Sequence, residues 1–446
     1  MTLNRWVKFS LVAVGYLLWV IWLGSFWWLL GLLVIFDLYI TKKVKWAFWK
    51  KKYKEGEKRN VWLEWLDAVI FALIAATFVK SFFFEAYMIP TSSMENTLKT
   101  GDYLFVGKIK YGPVRPRNPL TVPLTHNVIF GKESYSRIIE RPYKRMAGFR
   151  KVQRNDMVVF NFPHGDTVLV KYPMDDFYTH VRLNGEKSTL DHYGPVKVRP
   201  PGKEDNYVKR CVAAAGDTLQ VIDGQVWVNG QAQPVFSGIR STYTLITDGQ
   251  PLNKRLLEKF KVSVEEARFD NRIPGYASLP LNPQHAEELK ELRNVLSVTQ
   301  NIDVFPPDYP DSQLVLFPFV VSDEYPWTRD NYGPLWIPKE GTTVTLTSQN
   351  IPLYKRIITT YEGHTLEESD GVFYIDGEET SEYTFRMDYY FMMGDNRHNS
   401  LDSRYWGFVP EDRIVGNPLI VWFSTDKFKK FPASIRLDRL LKVRFK

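Results

Sequence analysis

Two long apolar stretches dominate the beginning of the chain. The first, Phe9–Phe36, contains no charged residue over 28 positions, which exceeds the ~20 residues that a helix needs to cross a bilayer. The second, Val61–Phe84, is interrupted by Glu64, Asp67 and Lys80. These three side chains lie near its ends, where they can reach the two headgroup layers. The pattern predicts two transmembrane helices.

The segment between these stretches is strongly basic. Lys42–Arg59 holds nine Lys or Arg and two Glu, which is typical of a cytoplasmic loop. With this loop inside, the N-terminus and everything after Phe84 are expected outside the cytoplasm. A cleaved signal peptide is disfavoured, because the first apolar run is too long and no small-residue cleavage site follows it. Two short spans broken at Gly24-Ser25 would place the basic segment outside, against the positive-inside rule.

From Gly101 onward the pattern changes to short apolar or alternating runs bounded by turn residues. Tyr103–Val106 and Asp156–Pro163 read as strands, while Pro113–Thr125, with four prolines, reads as a loop. Glycine after Asp or Asn is a strong hairpin signal, and three such pairs predict hairpins, namely Asp223-Gly224, Asn229-Gly230 and Asp376-Gly377.

Helical periodicity returns in a central insertion, near residues 253–268 and 283–295, where Asn282 suits a helix cap and Pro283 a first helical position. We therefore expect a mainly β fold, in which two N-terminal transmembrane helices precede an antiparallel β-sheet domain with a large inserted α+β cap. The predicted segments are 1–41 with the first helix, 42–60 as the basic loop, 61–84 as the second helix, 85–232 with 336–446 as the β-rich domain, and 233–335 as the cap.

Composition narrows the functional classes. The 446 residues allow two or three domains. Of the net charge of +8, Lys42–Arg59 carries +7, so the sequence predicts no basic face for nucleic acid in the rest of the chain. The single cysteine, Cys211, excludes an intramolecular disulfide. Seven His without a close pair or a Cys cluster make a zinc site unexpected.

The first candidate for chemistry is a hydroxyl cluster directly after the second apolar run. Tyr87–Leu98 contains Thr91, Ser92 and Ser93. Pro90 cannot continue the preceding helix and favours an extended approach, which would present a nucleophile at a lipid surface. The alternative is an ordinary turn or helix cap, the common use of such clusters.

The second candidate is a lysine in a predicted strand, Tyr207–Val212. Tyr207, Lys209 and Cys211 share one face of this strand, and that face reads as buried. Burial disfavours an ammonium and lowers its pKa. A lysine that works as a base near neutral pH needs its pKa lowered from ~10.4 to roughly 8, and it can then accept a proton from a serine hydroxyl. The alternative is a solvated lysine on an edge strand.

The third candidate is Gly394–Gly407, which reads Gly-Asp-Asn-Arg-His-Asn-Ser-Leu-Asp-Ser-Arg-Tyr-Trp-Gly. Its density of Gly, Asn, Asp and Ser predicts a structured loop. Asp402 and Arg404 are spaced to pair and brace that loop. The alternative is a surface turn, although so many polar groups beside Met392-Met393 and Trp406 are unusual for one.

Together these residues resemble bacterial type I signal (leader) peptidases, which are membrane-anchored endopeptidases with a Ser/Lys pair. The resemblance covers roughly a third of the chain and leaves out the insertions at about 113–152 and 233–335. Five blocks match in order: the second span with Lys80–Glu85, Ile89–Leu98, Gly101–Lys108, Asn155–Phe160 with Tyr207–Arg210, and Met393–Gly407.

The resemblance implies a role for each matching position. Ser93 would be the nucleophile and Lys209 the general base. Thr91 stands where the family has a serine that helps the nucleophile's backbone N–H bind the oxyanion, and Ser400 matches the serine that orients the lysine. Further matching positions would brace the site (Arg210, Asp395, Asp402 and Arg404) or line shallow substrate pockets (Ile89, Pro90, Met94, Leu98, Tyr207 and Val208). Ser92, His398 and Ala213–Ala215 depart from the usual glycine, aspartate and Gly-Leu-Pro.

The family's fold and activity are implied in the same way. They predict a largely antiparallel β domain partly sunk in the outer leaflet, which binds an extended secretory preprotein as an added strand. Cleavage would follow a small residue, typically in Ala-x-Ala, through an acyl-enzyme and without a metal or other cofactor. The expected partners are preproteins and the phospholipid bilayer. The expected location is the bacterial inner membrane, as a multi-pass protein with its catalytic domain on the periplasmic side.

Three alternatives stay open at this point. Ser93 could pair with His398 and either Asp395 or Asp402 as a conventional triad. The chain could be a dedicated Ser/Lys processing protease with another target. It could also be a membrane-anchored β-rich binding protein that uses the large insertion as its interaction surface.

Overall fold

The computed structural model describes residues 4–24, 26–44, 46, 61–250, 252–263, 266–270, 272–304 and 313–443. Its contacts divide the chain into two compact units. One, the helical unit, is Met1–Phe83 with Tyr111–Phe149, and the other, the β unit, is Phe84–Lys110 with Arg150–Lys446.

The helices are, in chain order, α1 (Arg5–Leu23), α2 (Gly31–Phe36), α3 (Val61–Phe82), α4 (Phe177–Asn184), α5 (Glu186–Tyr193), α6 (Lys254–Lys259), α7 (Pro283–Lys290), α8 (Ile351–Arg356) and α9 (Ser403–Trp406). The strands are β1 (Phe84–Met88), β2 (Asp102–Gly107), β3 (Val128–Ile129), β4 (Lys132–Glu133), β5 (Met157–Asn161), β6 (Thr167–Leu169), β7 (Val196–Val198), β8 (Asn206–Ala213), β9 (Thr218–Ile222), β10 (Gln225–Val228), β11 (Gln231–Ala232), β12 (Ser241–Thr247), β13 (Arg268–Phe269), β14 (Tyr276–Leu281), β15 (Val295–Gln300), β16 (Tyr332–Trp336), β17 (Thr343–Thr345), β18 (Leu366–Ser369), β19 (Val372–Ile375), β20 (Glu378–Thr380), β21 (Glu382–Thr384), β22 (Tyr389–Met393), β23 (Val409–Pro410) and β24 (Ile414–Ser424).

In the helical unit, the first apolar stretch is not one helix. α1 ends at Leu23 because Gly24 adopts a left-handed backbone with φ 60°. The chain then runs back along α1, and the Tyr16 hydroxyl donates to the Trp28 carbonyl at 2.6 Å. The expectation of a single span over Phe9–Phe36 is therefore wrong, and the break at Gly24, which was rejected above on the positive-inside rule, is present.

The turn at Gly24 lies at the same end of the helical unit as the end of α3. The Trp22 and Phe82 ring centres are 6.5 Å apart, whereas Phe9 and Phe36, at the opposite end of the hairpin, are 5.4 Å apart. The N-terminus of α1 and the start of the basic segment therefore share one end. By length and composition, α1 and α3 can each cross a membrane. Most of the predicted basic loop lies outside the described residues.

The β unit is built on a seven-stranded sheet with the order β1-β2-β24-β5-β8-β22-β23, in which all neighbours are antiparallel. The mainly β fold is thus confirmed, and the strands predicted around Tyr103 and Val158 are β2 and β5. The three predicted hairpins also form. Asp223, Asn229 and Asp376 adopt left-handed φ values of 48°, 53° and 53°, which tight hairpin turns require.

The insertion contains a second sheet, β13-β14-β12-β15, with its own apolar core. The two helices predicted there form but are shorter than expected. α6 ends at Lys259, because Phe260 turns into the core and Lys261 takes a φ of 58°. In α7, the Asn282 side chain accepts from the Gln284 N–H at 2.9 Å, as its predicted capping role requires.

Candidate active site

Ser93 lies in a turn that continues the first edge strand of the main sheet. The antiparallel ladder of β1 and β2 extends as far as Ile89, whose N–H donates to the Asp102 carbonyl at 2.9 Å. Pro90 has no N–H to continue the ladder, and the chain turns to place Ser93 in a position that is only 8% exposed. The Ser93 carbonyl accepts from the Asn396 N–H at 3.0 Å, which fixes the turn.

Lys209 reaches Ser93 from the centre of the sheet. It lies on β8 opposite Val158 of β5, and its side chain is almost completely buried. Its Nζ is 2.5 Å from Ser93 Oγ. Two residues that are 116 positions apart in the sequence are therefore in direct hydrogen-bond contact.

The surroundings of Lys209 lower its pKa to about 8. Burial is the largest cause, and the nearby Arg404 guanidinium lowers the pKa further, while the carboxylates of Asp402 and Asp395 oppose the change. Because a pKa near 8 leaves a sizeable neutral fraction at mildly alkaline pH, the amine can accept a proton from the Ser93 hydroxyl.

The face that carries Lys209 is aromatic, as the alternation of β8 predicts. The Tyr207 ring stacks on Phe162 at 4.6 Å, and Trp406 packs edge-on against both. Lys209 Nζ is 5.7 Å from the centre of the Tyr207 ring. Cys211 is fully buried and its Sγ–H points to the Ala213 carbonyl at 3.4 Å. This apolar wall excludes water from one side of the amine.

Two buried ion pairs hold the loop that follows β22. Asp395 accepts from Arg210 Nε and one terminal nitrogen at 2.8 and 2.7 Å, and from the Thr97 hydroxyl at 2.6 Å. Asp402 pairs with Arg404 in the same two-bond arrangement and also accepts from the Gly394 N–H at 3.1 Å. These four residues were expected to brace the site, and the structure places their ion pairs at both ends of the loop.

Two amides of this loop hold the Ser93 turn, and sequence reasoning did not single them out. The Asn396 side chain donates to the Ser92 carbonyl at 3.1 Å, and the Asn399 side chain donates to the Ser92 hydroxyl at 2.9 Å. The signal was present, because both belong to the Gly394–Gly407 motif, but their partner lies about 300 positions away in the sequence.

Ser400 and Gly394 meet directly behind the Ser93 turn. A methyl group at Gly394 would lie 2.2 Å from Ser400 Oγ and 2.7 Å from the Ser93 carbonyl oxygen. The Ser400 hydroxyl is buried, and no group in the described part of the chain bonds to it. Its expected contact with Lys209 stays a prediction.

We predict that Gly394→Ala lowers kcat by about 10²-fold, because the added methyl group displaces Ser93 or Ser400, and misplacement by ~1 Å has an effect of this size. Gly371→Asn is the control, since that hairpin tip has open space around it and Asn tolerates a left-handed backbone. Steady-state kinetics and thermal midpoints of both variants test this. Unchanged kcat in a folded Gly394→Ala enzyme would contradict the predicted packing constraint.

The residues predicted to stabilise the oxyanion and to line the substrate pockets differ in how deeply they are buried. Thr91 is exposed, and its Oγ1 is 3.5 Å from Ser93 Oγ. Among the described residues, none accepts from the Ser93 N–H, which leaves that donor available to a ligand. Of the predicted pocket residues, Pro90 is exposed and Tyr207 and Val208 are half-buried. The others are buried in one apolar cluster beneath the turn, namely Ile89, Met94 and Leu98. Their contact with a substrate stays a prediction.

His398 faces away from Ser93, towards the insertion. Its Nδ1 accepts from the Thr242 N–H at 3.0 Å, and its Nε2–H donates to the Asp330 carboxylate at 2.9 Å. Both ring nitrogens are therefore occupied, and the arrangement does not support His398 as the base of a conventional triad.

Asp303, Asp330 and His398 are spaced closely enough to hold a metal ion, but Arg329 already neutralises Asp303.

We predict that Asp330→Ala lowers kcat by about 10-fold with little change in KM, because losing the His398 contact loosens the loop that holds the Ser93 turn. Asp330→Asn keeps an acceptor for the His398 N–H and should retain most of the activity. The two variants should be compared in kcat and KM on the same substrate. Equal losses of kcat in the two variants would show that the charge of Asp330, and not the position of His398, matters at this contact.

Comparison with known proteins agrees with this geometry. The family model of signal peptidases, peptidase family S26, matches residues 62–274 and 381–423. A signal peptidase I of Helicobacter pylori is 48% identical over 361 residues, which cover 81% of this chain and 80% of that protein. The chain belongs to the signal peptidase family S26. The expectation of a serine endopeptidase of the signal peptidase I type is therefore confirmed.

More distant members of the family also align along most of this peptidase. Signal peptidase I of Haemophilus influenzae is 25% identical over 84% of this chain and 74% of its own length, and that of Buchnera aphidicola from Acyrthosiphon pisum is 23% identical over 88% and 85%. The family model leaves residues 275–380 unmatched. Asp330, the partner of His398, lies in this unmatched part.

Proposed function

We propose that the chain removes N-terminal signal peptides from exported preproteins, with Ser93 as the nucleophile and Lys209 as the general base. The observation that carries this proposal is the 2.5 Å contact between Ser93 Oγ and a buried Lys209 Nζ. The chain's membership of the family and the name of its relatives, signal peptidase I, support the substrate class.

Each chemical step then has a group to perform it. Neutral Lys209 takes the hydroxyl proton as Ser93 Oγ attacks the scissile carbonyl. The Ser93 N–H, assisted by the Thr91 hydroxyl, stabilises the oxyanion. Lys209 returns the proton to the leaving amine, and the acyl-enzyme is hydrolysed by a water that Lys209 deprotonates. Ser400 would keep the Lys209 side chain oriented during both acylation and deacylation.

The substrate would bind as an added strand beside Lys209. Residues 207–209 of β8 pair with β5 on one side, while β22 pairs only with residues 210–213. Among the described residues, the other edge of 207–209 has no strand partner, which suits an extended peptide. Exposed Pro90 and half-buried Val208 would limit the space for its side chains and favour small residues, as in Ala-x-Ala.

Anchoring in the bacterial inner membrane completes the proposal. α1 and the returning segment would form a hairpin, and α3 would cross from the cytoplasm to the periplasmic side. Arg5 and Thr41 lie at the same end of this hairpin, which supports a cytoplasmic N-terminus beside the basic loop. The sequence had led us to expect an external N-terminus. With the N-terminus inside, a hairpin that turns at Gly24 keeps the basic loop in the cytoplasm and agrees with the positive-inside rule, so the objection to two spans applies only to an external N-terminus.

The test is cleavage of a purified preprotein with an Ala-x-Ala site by the full chain in detergent. The control substrate is the same preprotein with a bulky residue in place of the Ala before the cut. We expect cleavage at the predicted bond of the first and not of the second, and none by Ser93→Ala. Cleavage by Ser93→Ala at the wild-type rate would reject Ser93 as the nucleophile, and failure of the wild type would favour a dedicated target or a binding role.

A further inference from the structure

Residues Tyr111–Phe149, here called the collar, are bound to one end of the helical unit. The Trp22 indole N–H donates to the Ala147 carbonyl at 2.8 Å, and Lys144 Nζ donates to the Gly24 carbonyl at 2.6 Å. On the other helix, Lys80 Nζ donates to the Thr125 carbonyl at 2.8 Å. The collar therefore lies where both helices end, which is where they would leave a bilayer.

The collar is a second basic segment of the chain. It contains seven Lys or Arg and two Glu, a net charge of +5. With +7 in Lys42–Arg59, this leaves −4 for the remaining residues. The net charge of +1 outside Lys42–Arg59 hides the collar, because a positive segment and an acidic remainder cancel.

The collar also exposes large apolar side chains among its cations. Phe130, at the tip of the β3–β4 hairpin, is 97% exposed, and Ile138 is 87% exposed. Lys132, Arg137 and Arg141 are exposed in the same segment. Exposed bulky apolar groups mark an interaction surface, and their combination with cations is typical of segments that bind the interface of an anionic membrane.

We propose that the collar binds anionic phospholipid headgroups around the helices, with Phe130 and Ile138 inserted between the lipids. This proposal rests on the membrane anchoring proposed above. The occupant follows from the charge and from the hydrogen bonds that hold the collar at the helix ends. Such a contact would fix the collar against the bilayer and resist tilting of the helices.

The single buried Cys211 allows a site-specific test in the full chain. Phe130→Cys would carry a nitroxide label, and its accessibility to oxygen and to a water-soluble nickel chelate would be compared in phosphatidylcholine and phosphatidylglycerol vesicles. The matched control is Asp370→Cys, at the tip of the β18–β19 hairpin, whose backbone is also left-handed (φ 51° against 48° for Phe130). Its neighbours include Glu367 and Glu368, so anionic lipid should not attract it.

We expect the label at position 130 to be protected from the nickel chelate in anionic vesicles and less so in neutral ones. Arg137→Gln with Arg141→Gln should shift this preference towards water, by about 5-fold per arginine at low salt. The label at position 370 should respond equally in both lipids.

The failures of the two proposals are distinguishable. Vesicles that do not carry the chain on flotation would reject the anchoring, and the collar contact with it. A chain that floats while the label at position 130 stays in water in both lipids would reject the collar contact alone. Equal protection in both lipids would reject anionic headgroups as its ligand. Protection only in cell membranes, and not in vesicles, would also overturn the proposal and indicate a protein partner.

Discussion

Lys209→Met is expected to lower kcat/KM by about 10³-fold or more, since general-base catalysis contributes 10²–10⁴-fold and no other base in the described site contacts Ser93 Oγ. Methionine fills a similar volume without an amine, so the apolar wall of Tyr207 and Phe162 should remain packed. Lys429→Met, at an exposed position, is the matched control and should retain full activity.

The pH dependence tests the same assignment in the unmodified enzyme. With a pKa of about 8, Lys209 is protonated and inactive as a base at low pH, and it becomes neutral as the pH rises. The rate of acylation should therefore rise nearly tenfold per pH unit between pH 6 and 7 and level off above about 8. A rate that is flat from pH 6 to 10, or full activity in Lys209→Met, would exclude a neutral lysine base.

Local chemistry explains which parts of the fold could be predicted from the sequence. The hairpins at Asp223 and Asn229 depend on two adjacent residues that tolerate a left-handed backbone, and their prediction needs no knowledge of distant partners. The break at Gly24 was considered and rejected, because the argument from the positive-inside rule held the N-terminus outside the cytoplasm. The run has a uniform hydropathy, so a criterion based on apolar length could not correct that choice.

Distance along the chain explains which parts of the site could not be predicted. Strand alternation placed Lys209 on a buried face, and the structure agrees. Resemblance to a family singled out Ser93 and the Gly394–Gly407 loop, but nothing in the sequence pairs His398 with Asp330. That contact joins the loop to Asp330, which lies in the part of the insertion that the family model leaves unmatched. It could therefore be predicted neither from the pattern of residues nor from the resemblance.

Asp395→Ala is expected to lower the free energy of unfolding by about 3–5 kcal/mol, because it leaves the Arg210 guanidinium buried without its carboxylate. Arg210 is 3% exposed and Asp395 is fully buried. The variant also removes the acceptor of the Thr97 hydroxyl, which is beside the Ser93 turn, so activity should fall with stability. Urea unfolding of the full chain in detergent measures the loss.

The cause of this loss can be separated from simple removal of a contact. Arg210→Met combined with Asp395→Leu removes both charges, and it should cost clearly less than Asp395→Ala alone, since an apolar pair of similar volume leaves no unpaired charge. Glu287→Ala, which breaks the exposed Lys290–Glu287 pair on α7, should cost less than about 1 kcal/mol. If the double variant were as unstable as the single one, the buried pair would stabilise the fold by its own attraction. The Ser93 turn would then depend on a net favourable ion pair, and the unpaired arginine would not be the cause of the loss.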